Sequence, residues 1–67
     1  MENILNPKEE AILQLMLQGK QNKEIATQLY ISLDTVKKHN TNIFKKLGVR
    51  NRNKAIIRML KNKYLSI

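Results

Sequence analysis

Apolar positions recur at helical spacing along most of the chain, and nowhere do they alternate with the short period of a half-buried strand. In "NPKEEAILQLMLQG", Ile12, Leu15 and Met16 fall on one helical face, with Leu5, Ala11 and Leu13 nearby. Asn6 suits the N-cap, Pro7 the first helical position and Glu9 the third, a capping-box start, and Gly19 suits a left-handed end. "NKEIATQLY" predicts a short second helix capped by Asn22, with Ile25, Ala26 and Leu29 inward. The small Ala26 lets a neighbouring helix approach closely. After a connection "YIS", in which Ile31 turns into the core, "SLDTVKKHNTNIFKKLG" predicts a third helix from a Ser32 cap to Gly48. Val36, Ile43, Phe44 and Leu47 form its buried stripe; Asp34, Lys37, Lys38, Thr41 and Lys45 lie opposite. "NRNKAIIRMLKNKYL" predicts a fourth helix, capped by Asn51. Arg52, Ala55, Ile56, Met59 and Leu60 share one face of it, and Asn53, Ile57, Leu60 and Tyr64 a second. The expectation is an all-α fold, one domain over 1–67, with helices at about 7–18, 23–29, 33–47 and 52–62 and no sheet.

At 67 residues the chain has room for one small core and contains no cysteine to staple it. No apolar run approaches the roughly 20 residues that span a bilayer, and the start, "MENILNPKEE", is not patterned as a secretory signal. These features point to a cytoplasmic protein. The net charge of +8 is unevenly placed. Residues 1–34 hold all five acids against three lysines, whereas residues 35–67 hold ten Lys/Arg and no acid. That asymmetry points to a polyanion, with nucleic acid ahead of a basic surface kept only for solubility.

Two short helices joined by a few residues, the second polar outside, make a helix-turn-helix. In that arrangement the second helix lies in the major groove with its N-terminal part against base edges. Lys37, Lys38, Thr41 and Asn42 carry groups suited to this: lysine donates to guanine O6 and N7, and asparagine pairs with adenine N6 and N7.

The blocks "NKEIA", "IS..TVK.H" and "KLGV.NR" with the alanine after them, all in register, resemble the LuxR/GerE-type DNA-binding domain of bacterial transcription regulators. The resemblance covers nearly the whole chain. It implies a four-helix domain whose third helix reads duplex DNA and whose fourth forms a dimer. It places Lys37, Lys38 and Thr41 at base contacts, and Asn22, Lys23, Ser32, Thr35 and Lys45 at backbone phosphates. Asp34 would lie near the groove, facing a cytosine amino group or clear of phosphate. Many relatives carry this domain as the effector end of a longer response regulator or ligand sensor.

Blander readings stand beside these. Lys37 and Lys38 are also consistent with ordinary solvated residues. Lys45, Lys46, Arg50 and Arg52 divide between helix ends and phosphate. Asn40 reads as a boundary polar group or a DNA contact. Ile57, Leu60 and Tyr64 either complete the monomer core or form a dimer face. His39 is the only histidine; it has no companions for a zinc site and no triad spacing, so it reads as a half-buried structural residue. No cofactor, metal or catalytic group is expected, and the protein is not read as an enzyme. The expected partners are double-stranded DNA and a second copy of the chain, with RNA polymerase a further candidate. The alternatives are sigma-factor-like promoter recognition and a basic protein-interaction module.

Overall fold

The computed structural model describes residues 4–65, with side chains described as far as Lys61. Among these residues there are four helices and no strand: α1 Pro7–Leu17, α2 Asn22–Leu29, α3 Leu33–Leu47 and α4 Arg52–Leu65.

The helix boundaries follow from local chemistry. At the start of α1, Asn6 Oδ1 accepts from the Glu9 N–H at 2.8 Å, and Glu9 Oε1 accepts from the Asn6 N–H at 3.0 Å. Two donors without intrahelical partners are thereby satisfied reciprocally. α1 ends at Leu17 because Gly19, at φ +87°, reverses the chain; its N–H reaches Met16 O at 3.0 Å and that of Lys20 reaches Leu15 O at 3.1 Å. α3 starts on Ser32, whose Oγ accepts from the Thr35 N–H at 3.1 Å, and ends at Gly48, φ +69°. Asn51 caps α4 by accepting from the Lys54 N–H at 2.9 Å. No glycine or proline interrupts residues 52–65, so the helix continues to Leu65, beyond the expected end.

The start of α2 differs from the sequence reading. Gln21, not Asn22, is the N-cap residue, and the Glu24 carboxylate accepts from the Gln21 N–H at 2.9 Å. Asn22 is already helical, and its side chain turns sideways to meet Asn40. α2 ends without a glycine: Tyr30 takes the left-handed position at φ 58°, and the Ile31 N–H closes onto Ala26 O at 3.0 Å.

Ile12, Leu13, Met16, Ile25, Val36, Ile43 and Ala55 are fully buried. Each large apolar side chain removed from water contributes about 1.5–3 kcal/mol. α1 is the hub and packs on all three other helices; α2 packs on α3, and α4 packs on α1 and α3 but not on α2. Arg52 fastens α4 to the rest by donating from Nη2 to the Lys20 carbonyl, in the link between α1 and α2. The guanidinium of Arg52 is therefore engaged with the protein. Leu60 does not join the core face of α4: like Ile57 it is nearly half exposed, while Ile56 and Met59 pack against the core.

Candidate nucleic-acid interface

Burial on α3 follows one stripe, Val36, Asn40, Ile43 and Leu47. The rest of the helix is rotated outward by its 3.6-residue period. Lys37, Lys38, Thr41, Asn42 and Lys45 are all exposed, on successive turns of that outer side. A helix about 10–12 Å across, side chains included, matches a major groove about 12 Å wide. The side chains offered are three ammonium donors, a carboxamide and a hydroxyl. Thr41 Oγ1 donates to Lys37 O at 3.2 Å, which leaves its methyl and its lone pairs for a ligand.

The other candidate residues flank this face. Ser32 and Thr35 pair their hydroxyls at 2.8 Å, so one hydroxyl hydrogen of the pair remains to give away. Lys23 is exposed at the start of α2. Asn22 is half-buried; its Oδ1 accepts from Asn40 Nδ2 at 2.8 Å, which brings the N-terminus of α2 alongside the middle of α3. Asp34 is exposed in the first turn of α3. Ile57 and Leu60 lie on α4, away from α2, and the Tyr64 side chain lies outside the described residues.

Three residues that the sequence left between roles have definite places. Lys46 is an internal ion-pair partner: its Nζ donates to Glu9 Oε1 at 2.7 Å. The Glu9 side chain is buried, and its carboxyl is held below the usual carboxylate range chiefly by that hydrogen bond, against the upward push of burial. The Asn6 N–H and the nearby charges of Lys46 and His39 add to the lowering. His39 is half-buried with Nδ1 enclosed and unpartnered. Asn40 bonds to Asn22. The Glu9–Lys46 pair joins residues far apart in sequence and was not foreseen. The boundary polar reading of Asn40 follows from its register with Val36, Ile43 and Leu47; its partner Asn22 was not legible.

This architecture defines a helix-turn-helix domain, α2 and α3, with a basic outer face on α3. The match to the family model described as "Bacterial regulatory proteins, luxR family" spans residues 3–59, and the chain belongs to that family. It is 40% identical over 58 residues to the spore germination protein GerE of Bacillus subtilis (strain 168), covering 87% of this chain and 78% of that protein. Over 65 residues it is 40% identical to the transcriptional regulatory protein DegU of Brevibacillus brevis, covering 97% of this chain but only 28% of that protein. The crystal structure of the response regulator ChrA, from a heme-sensing two-component system, superposes with a TM-score of 0.84 at 40% identity, over 94% of this chain and 31% of that one. The chain thus spans most of GerE and under a third of the longer regulators.

Proposed function

We propose that the domain binds duplex DNA with α3 in the major groove, and that Lys37, Lys38, Thr41 and Asn42 face base edges. Asn22, Lys23, Ser32, Thr35 and Lys45 hold backbone phosphates on either side. Two copies meet through α4, using Ile57, Leu60 and Tyr64, and present two α3 helices to paired half-sites. Sequence-specific DNA binding for transcriptional regulation is the function the family carries. The domain acts by binding rather than by catalysis, in the bacterial cytoplasm where its operator lies, with RNA polymerase as a partner.

The observation that carries this reading is the outer side of α3. It holds exposed donors on successive turns while its inner side is locked into the core. The test is selection of bound duplexes from a random pool, repeated with Lys38→Ala. A repeated half-site in the selected pool, with relaxed preference at one position in the variant, is expected. A pool without sequence preference would sink the reading, and an unchanged preference would remove Lys38 from it.

A further inference from the structure

Asn40 stands where an apolar residue belongs. It is 8% exposed, in line with Val36, Ile43 and Leu47, and faces α2. A buried carboxamide needs partners for both ends. Here Nδ2 has one, Asn22 Oδ1 at 2.8 Å, but Asn40 Oδ1 is enclosed with none. A half-satisfied buried pair is a poor way to stabilise a helix contact, and an apolar side chain of similar shape would do better.

We infer that Asn40 is a positioning residue: it turns the Asn22 carboxamide so that the NH2 group of Asn22 faces outward from the start of α2 as an uncharged donor to a DNA phosphate. The inference rests on the DNA-binding reading. With its Oδ1 drawn inward by Asn40, Asn22 has no acceptor for Nδ2 among the described residues, and that nitrogen is not among the enclosed unpartnered atoms. Asn22 is the half-buried first residue of an eight-residue helix, next to exposed Lys23. Backbone N–H groups of a first turn and the helix dipole favour an anion at that place. Reversing both carboxamides would also let them bond, but would put Asn22 Oδ1 at the surface, facing the phosphate oxygens. A bound phosphate and the observed orientation therefore favour each other.

The test measures duplex affinity against salt, alongside urea denaturation, for wild type, Asn22→Ala, Asn40→Leu and the double variant. Asn40→Leu should unfold at no lower urea than wild type yet bind about tenfold more weakly for each bound copy, the loss expected for one hydrogen bond to a charged group. The loss should be equal on cognate and scrambled duplexes, with the salt slope unchanged, because no charge is removed. Asn22→Ala should match it, and the double variant should be no weaker than either single one. Lys23→Ala is the contrast, flattening the slope by about 0.9 for each bound copy. Wild-type affinity in Asn40→Leu, or additive losses in the double variant, would overturn the positioning role. Should Asn40→Leu fail to fold, the Asn22 side-chain amide protons of the wild type decide by NMR: a large shift on adding duplex supports the role, and no shift overturns it. A wild type without affinity for any duplex would instead sink the DNA-binding reading itself.

Discussion

The Glu9 carboxylate closes the start of α1 and, at 2.7 Å, receives the Lys46 ammonium from the last turn of α3. Its folded pKa lies below the ordinary value of 4.5, with the Lys46 hydrogen bond as the main cause. A group depressed on folding adds stability that is fully present above its unfolded pKa and is lost as pH falls through the folded one. The domain should therefore weaken as pH drops below about 4.5. Glu9→Gln keeps an acceptor for Asn6 but loses the charge. Because Lys46 is 38% exposed, the pair is worth less than a fully buried one. The variant should lose roughly 1–2 kcal/mol at neutral pH and show a flatter acid limb, read by urea denaturation across pH. Tyr30 sets a second residue-scale test. At φ 58° it holds a conformation that strains a side chain, yet the residue is 94% exposed and gains little packing in return. Tyr30→Gly should raise stability by about 0.5–1 kcal/mol, and a drop in melting temperature would refute the strain argument.

At the scale of the element, α3 divides its labour by face. Lys37→Ala removes an exposed side chain and should shift stability by no more than about 0.5 kcal/mol. Its effect on cognate DNA should be a loss of roughly 1–3 kcal/mol, with relaxed preference at one base pair. Equal losses on every sequence would move Lys37 from base reading to phosphate holding. The division was legible in the chain because helical period and caps are local: Val36, Ile43 and Leu47 mark the inner side, and Ser32 and Gly48 mark the ends. Asn6, Pro7 and Glu9 marked α1 in the same way. What stayed hidden depends on which helices meet. Lys46 looked like a cation suited to a helix end until α1 brought Glu9 beneath it. Asn22 looked like a cap until Asn40, eighteen residues away, claimed its oxygen. Leu60 suited two faces of α4 equally, and only the packing of α1 and α3 shows that it lies outside the core.

At the scale of the whole molecule, the outer face of α3 and the exposed apolar pair Ile57 and Leu60 lie on different elements, although α4 carries exposed Lys54, Arg58 and Lys61 as well. The outer face of α3 has Lys23 at the start of α2 beside it, whereas Ile57 and Leu60, 48% and 44% exposed, lie on α4, whose backbone does not pack on α2 among the described residues. A copy docked on α4 would therefore leave both DNA faces free and would double the phosphates held. Each charged phosphate contact contributes about −0.9 to the slope of log affinity against log salt. Lys23 and Lys45 alone would give a single domain about −1.8, and a pair about −3.6. Ile57→Asp places a charge on the α4 surface without entering the core, so the monomer should stay folded. It should halve the salt slope and abolish any dependence of affinity on half-site spacing. Sedimentation on duplexes with one and with two half-sites checks the stoichiometry directly. If Ile57→Asp left the slope, the spacing preference and the two-to-one complex intact, the copies would have to meet elsewhere, and α4 would lose its assigned role.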